Sequence, residues 1–167
     1  MNPADTQTPL NRAAIAAVDP EDRLTDVLAL PEHLRDAVWK VESAQLGGWD
    51  SRDGLVIAGM GQSAIGGMIA RAAMGDHASR PILAARAYGL PPWTTPDTTV
   101  LCASYSGDTE ETLACFEAAG LLGCPRVVVT SGGRLAQLAR EESVPVIPIA
   151  GGLTSSTALG YVVVAAL

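Results

Sequence analysis

Four aliphatic hydroxyls crowd one short stretch of this chain, Ser104-Tyr105-Ser106-Gly107-Asp108-Thr109-Glu110-Glu111-Thr112. Ser104, Ser106, Thr109 and Thr112 are uncharged donors at the start of a helix. Together with backbone N–H groups they suit a phosphate ester, which such donors can hold without a lysine. Asp108 with Glu111 three residues later reads as a variant capping box that sets where the helix begins. Capping explains the two acids but not Ser104 and Ser106. Glu110 and Glu111 oppose an anion, so they are expected to face away from it or to be paired.

A second stretch, Gly59-Met60-Gly61-Gln62-Ser63-Ala64-Ile65-Gly66-Gly67, admits three readings. Its glycines can let an anion approach the backbone, with Ser63 adding a hydroxyl. They can equally serve close packing of a strand on a helix, with Ser63 as an N-cap. The string also reads as GxGxxA, a dinucleotide-binding variant. Against that, no acid ends the second strand, where Arg86 is the nearest charge. A P-loop is excluded, because Gly66 is followed by Gly67 and Met68 rather than Lys and Ser/Thr. A third turn, Thr130-Ser131-Gly132-Gly133, could contact a ligand but reads first as structure. His33 and His77 read as solvated, and Glu141/Glu142 as a solvated helix end. Cys102 and Cys115 read as core and Cys124 as part of a turn; no pair has CxxC spacing, so neither a disulfide framework nor a zinc site is expected.

These motifs need a scaffold that sets them at strand ends. Apolar runs at Gly54–Met60, Pro81–Ala85, Thr99–Ser104, Arg126–Thr130 and Val144–Ile149 read as strands. Helical patterns cover Ser63–Met74, Thr109–Ala119, Arg134–Glu141 and the chain from Ser155 onward. Continuous apolar strands alternating with helices predict a five-stranded parallel sheet buried on both faces, a three-layer αβα fold. Before it, residues 21–50 read as helices broken at Pro31 and ended by Gly47-Gly48, and residues 1–20 as a loose arm. Residues 51–167 form the main domain. Ligands of such folds bind beyond the C-terminal ends of the strands.

Composition narrows the chemistry. Lys+Arg 11 against Asp+Glu 18 leaves a net charge of −7, and Lys40 is the one lysine, which argues against nucleic acid as partner. With 48% hydrophobic and 17% charged residues among 167, the chain is not wholly disordered. The run Ala158–Leu167 falls short of the ~20 residues of a membrane span. The first ten residues carry no secretory pattern, so a soluble cytoplasmic protein is expected.

Strand–GMGQSAIGG–helix, then SYSGDTEET, then TSGG resembles the sugar isomerase (SIS) domain, a flavodoxin-like fold. Arg86-Ala87-Tyr88, LPEHLRDA at Leu30–Ala37 and Ala158-Leu159-Gly160-Tyr161 bring it nearest the bifunctional phosphoglucose/phosphomannose isomerase family. The resemblance runs from about Glu21 onward. It implies phosphate contacts from Ser63, Ser104, Ser106 and Thr109, with Gly61, Gln62 and Gly107 in the substrate loops. It also implies cofactor-free and metal-free interconversion of glucose 6-phosphate or mannose 6-phosphate with fructose 6-phosphate, through a cis-enediol(ate) in a homodimer. Two departures stand out. Ser155 and Ser156 occupy the place of the family's Pro-Arg pair, and the family's catalytic glutamate, histidine and lysine lie in a second half, so no catalytic residue is assigned here. The chain stops at Leu167 inside an apolar run, which reads as a fragment or as a single-SIS protein that pairs with another subunit. Alternatives are a non-catalytic sugar-phosphate sensor and an NADP-binding domain using Arg86.

Overall fold

The computed structural model describes residues 11–46 and 51–167. Three helices come first: α1 (Arg12–Val18), α2 (Arg23–Leu28) and α3 (Leu30–Ser43). The expected loose arm is therefore helical over residues 12–18. Asn11 caps α1, its side chain accepting from the Ala14 N–H at 2.9 Å. Pro31 sits in the first turn of α3, where an N–H would have no helical partner, and the expected break falls at Ala29. The proposed stop at Gly47-Gly48 lies outside the described residues.

The chain then alternates: β1 (Leu55–Ala58), α4 (Gly61–Met74), β2 (Ile82–Ala85), β3 (Thr99–Ala103), α5 (Glu110–Leu122), β4 (Arg126–Thr130), α6 (Gly133–Glu141), β5 (Val146–Pro148) and α7 (Leu159–Ala165). Several boundaries differ from expectation, those of β5 and α7 among them. β5 keeps only Val146–Pro148 of the expected Val144–Ile149, following Pro145 and ending on Pro148, neither of which can donate to a ladder. The helix expected from Ser155 starts at Leu159, because Thr154 and Thr157 bond to each other in a preceding turn (Oγ1–Oγ1 3.0 Å).

The five strands pair in parallel in the order β2-β1-β3-β4-β5. Period-two alternation splits their side chains between two cores. Ile57, Leu101, Val129 and Ile147 meet Ala37 of α3, Ala70 of α4 and Tyr161 of α7. Val56, Val100, Cys102 and Val128 meet Leu113 and Phe116 of α5 and Leu135 of α6. This is the three-layer α/β architecture that the apolar strands predict. Small residues let its layers close: a Cβ on Gly67 would stand 2.9 Å from Ile57, and one on Gly66 2.9 Å from Val162.

The strand order matters for function. From β1 the chain steps outward to β2, then crosses back to β3 on the other side. A crevice opens between the C-terminal ends of β1 and β3, the switch point where doubly wound folds bind ligands. The glycine loop follows β1 and the hydroxyl loop follows β3, so topology sets them face to face. Elsewhere, α3 and α7 are tied by a polar cluster. The Tyr161 hydroxyl donates to Asp36 Oδ2, and Lys40 Nζ lies 2.8 Å from the same oxygen and 5.0 Å from the Tyr161 ring centre. The one lysine is thus used in the scaffold. No described helix is long and apolar enough to cross a membrane.

Candidate functional site

The loop after β3 is built from its own hydrogen bonds. Ser104 is buried, its Oγ lying 2.8 Å from Thr109 Oγ1 and accepting from the Gly107 N–H at 3.1 Å. Ser106 Oγ accepts from the Asp108 N–H at 3.2 Å. The TSGG turn braces the loop from β4. Ser131 donates to the Tyr105 carbonyl through both its N–H (3.0 Å) and its hydroxyl (2.6 Å), and the Leu135 N–H donates to the Gly107 carbonyl at 2.8 Å. The fit is close enough to demand glycine: Gly107 has φ +78, and a Cβ there would meet the Gly132 carbonyl oxygen at 1.9 Å. The TSGG segment therefore acts structurally, as its sequence suggests.

The expected capping box does not form. Thr109, not Asp108, is the N-cap of α5, with no side-chain cap bond. Asp108 instead accepts from the Arg134 N–H at 2.9 Å, in the first turn of α6. A short range sequence pattern was competing with a longer one: the carboxylate serves a neighbouring helix start, where the dipole also favours negative charge. Ser63 is no N-cap either, since α4 already begins at Gly61 after the extended Met60. Among the described hydrogen bonds, the Gly61 and Gln62 amides have no acceptor. Gly61 adopts φ +51 with nothing within 4 Å of a would-be Cβ, so the backbone is open to an approaching group.

Between the two loops lies a cavity of about 420 Å³, within the roughly 300–1,000 Å³ of small-molecule sites. Gly61, Gln62 and Ser63 line one side, Ser106 and Thr109 the other, and Ser155 closes on it from the turn before α7. The structure thus brings together five of the seven residues singled out from sequence. Ser104 and Gly107 line no part of the cavity and shape the loop behind it. Tyr105, Met60, Ile65 and Ser155 are lining residues that were not named as site residues; the first three sit inside the motifs themselves, and Ser155 is one of the two departures from the Pro-Arg pattern.

Electrostatically the cavity offers donors and no charge. No Asp, Glu, His, Lys or Arg is among its described lining residues. Glu110 is exposed and accepts from the Tyr88 hydroxyl at 3.4 Å, so one of the two acids beside the loop is engaged away from it. Glu111 and Glu110, with some burial, push the Tyr88 phenol above its ordinary pKa. Arg86 lines no part of the cavity. The thiols are core groups: burial raises all three, most of all Cys102, while Cys115 donates to the Ala87 carbonyl (3.3 Å) and Cys124 to that of Thr95 (3.2 Å). Among the described residues no group of three or more His, Cys, Asp or Glu could hold a metal ion.

No family model matches the chain. Over 109 residues, 65% of this chain, it is 40% identical to the bifunctional phosphoglucose/phosphomannose isomerase of Caldicellulosiruptor bescii, of which the match covers 32%. The enzyme of the same name from Aquifex aeolicus is 38% identical over 110 residues, 65% of this chain and 34% of the relative. The chain is a homologue of the bifunctional phosphoglucose/phosphomannose isomerases. It spans about a third of the length of these curated relatives. In three dimensions a phosphoheptose isomerase from Francisella tularensis matches with a TM-score of 0.57, covering 93% of this chain and 95% of that one at 12% identity. That likeness is one of fold: the chain shares the α/β architecture of that protein.

Proposed function

We propose that this chain binds a hexose 6-phosphate in the β1/β3 crevice and supplies the phosphosugar-binding half of an aldose–ketose isomerase. The reaction would interconvert glucose 6-phosphate or mannose 6-phosphate with fructose 6-phosphate. The observation that carries the reading is the convergence on one cavity of Ser63, Ser106 and Thr109 with the Gly61 and Gln62 amides, which have no acceptor among the described hydrogen bonds. Uncharged donors at helix starts hold phosphate well, which accounts for a site without lysine in a chain of net charge −7. In this reading Ser63, Ser106 and Thr109 contact the ester oxygens. Ser104 orients the Thr109 hydroxyl, and Gly107 lets the loop press against the TSGG turn.

Isomerisation moves a proton between C1 and C2 through an enediolate. It requires a base, a group that opens the sugar ring and a stabiliser of the developing oxyanion. The described lining residues include no carboxylate, imidazole or cation, so these groups come from outside them, from a second half or a second copy. Their absence also favours a second reading, a non-catalytic sugar-phosphate sensor.

Thermal shift and calorimetry with glucose 6-phosphate, mannose 6-phosphate, fructose 6-phosphate and NADP test the proposal. The hexose phosphates are expected to raise Tm and NADP to leave it unchanged. Stabilisation by NADP alone would overturn the assignment. Deuterium uptake from D2O into fructose 6-phosphate would exclude the sensor reading, since a sensor binds the sugar without exchanging its C1 proton.

A further inference from the structure

Helix α4 carries its large apolar side chains on the side that faces away from the protein. Its sequence, GQSAIGGMIARAAM, holds one charge, Arg71. Ala64, Gly66, Gly67 and Ala70 are buried, Gly66 against Val162 of α7 and Gly67 against Ile57 of β1. Ile65, Met68 and Ile69 are instead 39%, 51% and 42% exposed. A surface helix normally turns its large apolar residues inward, and a helix that is apolar all round belongs in an interior. Ile65, Met68, Ile69 and the exposed Ala72 follow i, i+3, i+4, i+7 spacing, so they form one stripe. Ile65 also lines the β1/β3 cavity, so the stripe and the candidate site share a wall.

The order of residues along the stripe identifies what fits it. Its midpoint falls between Met68 and Ile69. A second copy turned about a two-fold axis at that point lays the two helices antiparallel, with Met68 against Ile69 and Ile65 against Ala72. Large side chains then meet small ones at both ends, and no charge of the stripe is buried. Each helix also sets its positive end beside the negative end of the other. Such a contact uses the same patch on both copies and closes on itself. The register continues past the helix: the turn Gly75–His77, which follows α4, comes beside Met60 and Gly61 of the other copy, two of the residues lining its cavity.

We propose that this chain pairs through α4 with an antiparallel second copy of itself, and that each copy lays its Gly75–His77 turn at the edge of the other's cavity. The turn carries the exposed Asp76 and His77, and so brings a carboxylate and an imidazole to a cavity whose described lining has neither. That role for the turn rests on the sugar-phosphate reading of the crevice; the pairing does not.

Sedimentation equilibrium of the full chain, without sugar, tests the pairing. A dimer is expected. Met68→Glu buries a carboxylate on each side of the axis and should raise the dissociation constant roughly a hundredfold, with the fold retained by circular dichroism. Cross-linking of mixed cysteine variants reads the register, the native Cys102, Cys115 and Cys124 being buried. Ile65→Cys mixed with Ala72→Cys should form a disulfide between copies, and Met60→Cys mixed with His77→Cys should be joined by a short bismaleimide. Ile65→Cys alone should form none, because its two copies stand about 10 Å apart along the helices, beyond disulfide reach. A monomer at all concentrations, a dimer indifferent to Met68→Glu, or Ile65→Cys joined to itself would overturn the pairing. A dimer in which Met60→Cys and His77→Cys do not join would overturn the role of the turn. With sugar absent throughout, either failure leaves hexose-phosphate binding to be judged by its own titration.

Discussion

The loop after β3 and the loop after β1 face the same cavity but are built in opposite ways. The β3 loop is closed on itself and on the TSGG turn, through Ser104, Thr109, Ser131, Thr130 and Asp108. The β1 loop has little side-chain bonding. It leaves the Gly61 and Gln62 amides without described acceptors and Gly61 in open space. One loop is a fixed frame and the other an open mouth. A phosphate needs both: preset hydroxyls that cost no reordering on binding, and free amides to complete its hydrogen bonds.

The contrast breaks most directly at its glycines. Gly107→Ala should destabilise the fold by about 3 kcal/mol, combining a strained φ with a backbone clash. Gly61→Ala, strained but unobstructed, should cost only about 1–2 kcal/mol. Urea unfolding of the two variants measures the difference, and equal losses would mean that the β3 loop is not the rigid partner.

The hydroxyls sharpen it next. Ser104→Ala should lower stability by about 1–2 kcal/mol, because the Gly107 N–H loses its buried acceptor. Ser106→Ala and Ser63→Ala should leave stability within about 0.5 kcal/mol. Each should weaken hexose-phosphate binding by about 1–2 kcal/mol, one hydrogen bond to a charged group. Calorimetric titration beside thermal melts separates the two effects. Ser106→Ala with undiminished affinity would remove the phosphate from this loop.

Titration provides a remote control. The Lys40 ammonium, and then the Tyr161 hydroxyl, hold the Asp36 carboxyl below the usual carboxylate range. A depressed folded pKa gives stability that is present above the unfolded value of about 3.9 and is lost as pH falls through the folded one. Asp36→Asn should therefore flatten the acid limb of the stability profile while leaving sugar-phosphate affinity at pH 7 unchanged. The smallest effect concerns the thiols. Cys102, Cys115 and Cys124 are buried with raised pKa values, so native protein should react with a thiol reagent far more slowly than unfolded protein, with or without ligand.

Much of this was legible in the residues. Unbroken apolar runs such as Val56-Ile57-Ala58 and Val127-Val128-Val129 need burial on both faces, which in a chain alternating with helices means a covered parallel sheet. Positions of Ser63, Ser106 and Thr109 beside strand ends were visible for the same reason. Asp108 was misread because a capping box is a local pattern, and its carboxylate found an amide 26 residues away instead. The early helix at Arg12–Val18 was missed because its Ala-rich stretch has few apolar anchors of its own.

Local chemistry, then, determined the strands and the supply of uncharged donors, since these depend on side-chain type and on spacing along the chain. Only the folded structure decided which donors look into the cavity. Strand order sets β1 beside β3, and packing of the TSGG turn puts Ser104 inside the loop and Ser106 at its surface. Such neighbours are far apart in sequence, and what brings them together is the closing of two hydrophobic cores over one sheet.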